Sequence, residues 1–163
     1  MAAPAAAQEL EPRSLQNTPV ASNLLSVATG YSKGNLLIEP SVPIENAAAD
    51  VLTLTPAVFR AIDFFGMSGK VGVAVPMATG EWSGTVQGID SSVTRTGFSD
   101  PRLIMSVNFL GAPALGRAAM RTYRPKTVAG LQLSVQIPLG QYSSERLVNL
   151  GLNRWSFQPR LGV

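Results

Sequence analysis

Neither cysteine nor histidine occurs anywhere in this chain. Without thiols there are no disulfides, no thiolate zinc sites and no thiol nucleophile. Without imidazole there is no Ser-His-Asp triad, no His-ligated metal and none of the commonest general base. No carboxylate pair at glycosidase-like spacing and no P-loop glycine pattern takes their place. The sequence therefore reads as non-enzymatic, with no catalytic residue, no metal site and no cofactor. Charge is scarce as well: 14% of residues are ionisable by the usual count, 13 Lys and Arg against 10 Asp and Glu. The basic residues are scattered rather than gathered into a stripe, which argues against a nucleic-acid partner. No apolar run reaches the roughly 20 residues that a membrane-spanning helix needs. Helical periodicity is hard to find, and 15 Gly and 12 Pro interrupt most candidate helices.

What is present is apolar and alternating. The 163 residues are 45% hydrophobic, with a mean hydropathy of +0.17, enough for one sizeable domain and too apolar for disorder. In "KTVAGLQLSVQIPLG", from Lys126, the residues Ala129, Leu131, Leu133, Val135 and Ile137 alternate with Gly130, Gln132, Ser134 and Gln136. Alternation over about ten residues matches a tilted transmembrane strand and exceeds the usual soluble strand of about 5–6. "PRLIMSVNFLGAP" sets Leu103, Met105, Val107 and Phe109 against Arg102, Ile104, Ser106 and Asn108, with Ile104 alone out of pattern. "GKVGVAVPMATG" sets Val71, Val73, Val75 and Met77 against Lys70, Gly72, Ala74 and Pro76, and "NRWSFQPRLGV" repeats the scheme at the end of the chain. Two earlier stretches, around Val20–Asn35 and Asp50–Asp63, are less regular, and Pro56 in the second predicts a bulge, an edge or a distortion. The count is about six strands.

The connections differ in kind. "FFGMSG", Phe64–Gly69, reads as a tight turn, whereas Gly80–Arg102 reads as one long polar loop. Short turns on one side and long loops on the other are the asymmetry of an outer-membrane barrel. A soluble sandwich also alternates, because one face packs on a core. Strand length, small or polar residues on the second face and low charge favour the barrel, which carries apolar residues outward and polar residues inward. Tyr31, Phe64, Phe65, Trp82, Tyr123, Tyr142 and Trp155 fall near strand ends, where interfacial aromatics belong, although soluble folds place aromatics there too.

Four separated stretches resemble one family. They are "EPRSLQNTPVASNLL" (Glu11–Leu25), "GYSKGNLLIEPSVPIENAAAD" (Gly30–Asp50), "TRTGFSDPRLIMSVNFLGAPAL" (Thr94–Leu115) and "QIPLGQYSSERLVNLGLNRWSFQPRLGV" (Gln136–Val163). Together they resemble the bacterial outer-membrane proteins named after a MetA pathway of phenol degradation, often labelled transporters. The "PLGQY" turn followed by "NLGLNRWSFQPRLGV" is the most specific part. The resemblance implies an all-β antiparallel transmembrane barrel. It also implies uptake of small, often hydrophobic or aromatic compounds, outer-membrane lipid as surroundings and the barrel-assembly machinery as a partner. Family members look longer, and they begin with a secretory signal. "MAAPAAAQELEPR" is not a complete signal, although "AAAQ" (Ala5–Gln8) resembles the end of a cleavage site; a flexible Ala/Pro leader accounts for it equally. The expectation is thus a leader or signal remnant over 1–18 and a partial barrel or open curved sheet over 19–163, its last strand an interior one with a bare far edge.

On that reading the candidate lumen-lining residues are the polar-face positions Lys70, Arg102, Ser106, Asn108, Gln132, Ser134, Gln136, Arg154, Gln158 and Arg160. Their cations favour anionic or polarisable solutes, or pair with inward acids. Asp100 and Arg102, flanking Pro101, are expected to form a structural ion pair. Arg95, Arg121 and Arg124 are candidates for lipopolysaccharide phosphates at a rim, with solvated loop charge the simpler account. The alternative function is a soluble β-rich binding or structural module without catalysis.

Overall fold

The computed structural model describes residues 15–37, 44–86 and 88–163. Eight strands, β1 (Asn23–Asn35), β2 (Ile44–Phe64), β3 (Met67–Ala74), β4 (Met77–Val86), β5 (Ile89–Phe98), β6 (Arg102–Leu110), β7 (Ala129–Gln136) and β8 (Ser156–Gly162), form one antiparallel sheet curled into a half-barrel. Among the described residues one helical turn, α1 (Arg117–Met120), lies between β6 and β7. The expected all-β incomplete barrel is what the chain forms.

Register reduces the eight segments to six long strands. Ala57 pairs with Ala74 and Leu54 with Met77, so β3 and β4 run along one edge of β2 in an unbroken register, with β1 along the other. β5 and β6 follow β4 and β3 back, with one extra residue at the Ser99–Pro101 junction that shifts the register by one. Pro56 does not break β2: Ala57 and Leu54 keep one register on either side of it, and its carbonyl accepts from Val75 N at 3.0 Å. The interruptions fall in the neighbours instead, at Val75–Pro76 and at Ser99–Pro101, while β7 ends just before Ile137–Pro138. Each proline removes a donor from the ladder, and the segments meet across this line through Val75, Ser99 and Ile137, whose N–H groups bond Pro56 O, Pro76 O and Pro101 O.

Two turns join the long strands. Between β2 and β3, Phe65 and Gly66 have φ of 53° and 81°, the pair of positive values that a type I′ hairpin turn requires, and Asp63 Oδ1 accepts from Gly66 N at 2.7 Å. Gly80–Arg102, expected as a loop, is instead the end of β4, a turn at Gly88 and all of β5: Trp82 pairs with Val93 and Val86 with Ile89. Its Ser, Thr and Gly residues hide the strand because neither face is continuously apolar there. The expected asymmetry is correspondingly weaker, since the Phe65–Gly66 end also carries the connection 111–128, and the opposite end the connection 137–155.

Burial is inverted. The face holding Val58, Val73, Leu131, Phe157 and Leu161 is exposed, with Val58 at 56% and Phe157 at 63%. The opposite face holds Ala57, Ala61, Ala74, Asn108, Gln132 and Ser134, all buried. Ala129 and Val135, of the apolar set of β7, are buried as well. Part of the cover comes from Leu15–Ser22, which crosses the Phe65–Gly66 end: Asn108 Nδ2 donates to Leu15 O at 2.8 Å, Val20 N to Leu115 O, and Ala61 N to Ser22 O. Leu15–Thr18, expected within the leader, thus hydrogen-bond to the sheet and to the 111–128 connection; residues 1–14 lie outside the described residues.

Candidate functional site

The period-2 alternation of β3, β6, β7 and β8 and their register build the polar face row by row. Lys70 pairs with Ser106, Ser106 with Gln132 and Gln132 with Arg160, four polar side chains abreast on one face. The next row is Gly72, Ile104, Ser134 and Gln158, and the next Ala74, Arg102, Gln136 and Ser156. Asn108 stands opposite Gly130. Nine of the ten expected residues therefore share one surface. Arg154 does not belong to the array: β8 begins at Ser156, and Arg154 is exposed in the preceding bend.

Ile104, the misfit of its strand, has a local partner. Gly72 stands between Phe59 and Ile104, and a Cβ at Gly72 would come within 2.2 Å of Phe59 Cδ1. The Phe59 ring lies over the glycine, and the row becomes an apolar patch inside a polar face.

Asp100 is 3% exposed and takes three donors: Gln136 Nε2 at 3.0 Å, Gly140 N at 2.8 Å and Leu152 N at 2.7 Å. The expected ion pair with Arg102 does not form, because the carboxylate is turned toward the 137–155 connection and its lone pairs are used there. Asp100 thus fixes the connection against the β5–β6 junction, where Gln141 N also donates to Phe98 O and the Gln141 side chain lies over Gly97.

That connection closes a second feature, which the sequence did not reveal. At the end opposite the Phe65–Gly66 turn, β2, β4 and β5 meet the connection around a cleft of about 330 Å³. Ile44, Trp82, Val93, Leu147 and Val148 give it apolar walls, and Arg95, Glu145 and Arg146 give it charge. Trp82 and Arg95 project from the same side as the polar rows, since Trp82 pairs with Ala49 and Val93, and Gly80 with Val51 and Arg95. Arg95 Nε is buried without a hydrogen-bond partner. Arg95 was expected at a rim beside Arg121 and Arg124, but those two lie in the 111–128 connection at the other end. Trp82 likewise faces inward rather than joining an interfacial belt. Tyr123 donates its hydroxyl to Gly111 O and Tyr142 sits in a connection, whereas Tyr31, Phe64, Phe98, Phe109 and Phe157 are exposed on the outward face and the exposed Trp155 stacks on Phe157.

Beyond the apolar band, Lys33 Nζ lies 3.0 Å from Asp50 Oδ2, and the Tyr31 hydroxyl donates to the same oxygen at 3.1 Å. The ammonium hydrogen-bonded to it, with the Tyr31 hydroxyl, holds Asp50 below the usual carboxylate range against an opposing effect of desolvation, and the carboxylate raises Lys33 in turn. Among the described residues no three acidic side chains gather as a metal site would require.

A family described as "Putative MetA-pathway of phenol degradation" matches residues 44–163, from the start of β2 to the end of the chain. The chain belongs to this family. No curated protein and no solved structure matches it. The MetA-pathway family match spans the polar rows, the Asp100 clamp and most of the cleft, whereas β1 precedes it.

Proposed function

We propose that this chain forms channel wall in a bacterial outer membrane, lining a path for passive passage of small solutes. The inverted burial carries the reading. An exposed Val, Leu and Phe face is costly in water and favourable against lipid, and a sheet whose polar side is the covered one suits an aqueous lumen. The dimensions agree. On the outward face of β2 the residues from Leu52 to Phe64 are apolar except Arg60, which donates to Asn23 Oδ1 at 3.1 Å, and at about 3.3 Å per residue and a tilt near 40° this stretch rises about 30 Å. Past Leu52 the outward face turns polar at Lys33, Asp50, Glu81 and Thr94. Lys70, Ser106, Gln132 and Arg160, with Arg102, Asn108, Ser134, Gln136 and Gln158, line the lumen, and their cations favour anionic or polarisable solutes. Passage needs no catalytic group, and the family's name links it to phenol degradation.

The absence of native cysteine makes the test clean. Single cysteines placed along β8 at Phe157, Gln158, Arg160 and Leu161 are to be probed in liposomes with a water-soluble maleimide. Gln158→Cys and Arg160→Cys, on the accessible part of the polar face, should react while Phe157→Cys and Leu161→Cys stay protected, and trapped small solutes should leak. The reverse labelling pattern, uniform labelling, or tight liposomes would overturn the proposal.

A further inference from the structure

The cleft around Trp82 combines apolar walls with charged side chains. We infer that it binds a small apolar molecule, of the size of a single aromatic ring, that carries one anionic group. Three observations converge. The volume of about 330 Å³ lies in the range of small-molecule pockets. Trp82 lines the cleft beside Val93, its partner on β5, and an indole is a surface on which a planar ring stacks well. Gly80 leaves room for the indole, since a Cβ there would come within 3.1 Å of its Cη2.

The third observation sets the charge. Arg95 Nε is buried and unpartnered, a state that costs free energy unless an acceptor arrives. Among the described residues two cations, Arg95 and Arg146, and one acid, Glu145, line the cleft, an excess of one positive charge. A carboxylate on the ligand supplies both the acceptor and the charge, and guanidinium matches its geometry. A neutral ring of equal size fills the walls and leaves the N–H unmet. The inference deepens the channel reading by placing a selective station on the lumen side, at the end away from the Phe65–Gly66 turn. It rests on that reading for its role in passage, but not for binding itself.

The test uses detergent-solubilised protein carrying Trp155→Phe, which leaves Trp82 as the sole tryptophan of the two. Benzoate and its neutral isostere benzamide are titrated against Trp82 fluorescence and, independently, by calorimetry. Benzoate should bind at least about tenfold more tightly than benzamide, a difference of about 1.4 kcal/mol. Arg95→Gln should remove that preference while benzamide is unaffected, and Arg117→Gln on α1 should change neither. Equal affinity for the two probes, an undiminished preference in a folded Arg95→Gln protein, or no saturable binding of either at about 10 mM overturns the assignment. If Arg95→Gln does not fold, the benzoate-to-benzamide ratio of the parent protein decides alone. A protein that leaks solute but shows no preference refutes the site and spares the channel. One that binds benzoate in tight liposomes does the opposite.

Discussion

Asp100 is a buried carboxylate whose lone pairs are directed at two backbone N–H groups and one side-chain amide. Replacing it with Asn exchanges a charged acceptor for a neutral one and turns an NH2 toward donors. Charge-assisted bonds are worth roughly twice neutral ones, and buried donors left unmet add to the loss, so Asp100→Asn should cost about 2–4 kcal/mol in urea unfolding of the detergent-solubilised protein. Arg102→Gln should cost about 0.5 kcal/mol or less, because no ion pair joins the two; a comparable cost for both would restore the ion-pair account. Gly72 is fixed by its neighbour rather than by backbone geometry. Gly72→Ala would drive a methyl into the Phe59 ring and toward Val58 O, 2.6 Å away, and should cost about 1–3 kcal/mol, with Phe59→Leu recovering part of it in a double-mutant cycle. Neither role is visible in the sequence, where "SDPR" suggests a pair between neighbours and Gly72 is merely small. Both depend on which residues of distant strands face them.

Strands were legible where one side touches an apolar medium and the other a polar one. β3, β6, β7 and β8 announce themselves through Val, Leu and Met at every second position, and their register then places nine of the ten polar-face residues on one surface. β4 and β5 were hidden because beyond Leu52 the outward face turns polar while the inward face mixes Gly and Arg with Val and Trp, so alternation loses its contrast although the ladder continues. The cleft was hidden for a different reason, since Trp82 and Arg95 meet Leu147 only when the Asp100 clamp folds the 137–155 connection back. The outer end of the β1–β2 pair invites a pH experiment. Asp50 is held below its unfolded value, so its contribution is present above that value and lost as pH falls through the lowered one; Lys33 is raised, so its share is lost only as pH climbs past its raised value. Amide exchange near Gly34 and Ala49 should be slowest between about pH 4 and 10, after correction for intrinsic exchange, and quicken below about pH 4. In Asp50→Asn that acid step should vanish; if it persists, another group controls the end of the hairpin.

The whole sheet poses one question of solvent, and a charge moved from face to face answers it. Val73 occupies the middle of an outward row, Val58–Val73–Leu103–Val135–Phe157, and is 48% exposed. In water a Lys at so exposed a position would cost about 0.5 kcal/mol or less. Against the bilayer midplane the same Lys should cost about 2–4 kcal/mol, because neither water nor a headgroup reaches it without deforming the membrane. Gln158 stands exposed on the polar face of β8 at nearly the same height, paired with Ser134. Gln158→Lys should cost less than about 1 kcal/mol in either medium, since its ammonium stays hydrated on the lumen side. Urea unfolding of both variants in phospholipid vesicles measures the difference directly. A penalty confined to Val73→Lys, and larger for lipids whose hydrocarbon thickness centres Val73, identifies the outward face with lipid. Equal small penalties would return that face to water and leave its exposed Val, Leu and Phe residues to be covered by protein instead.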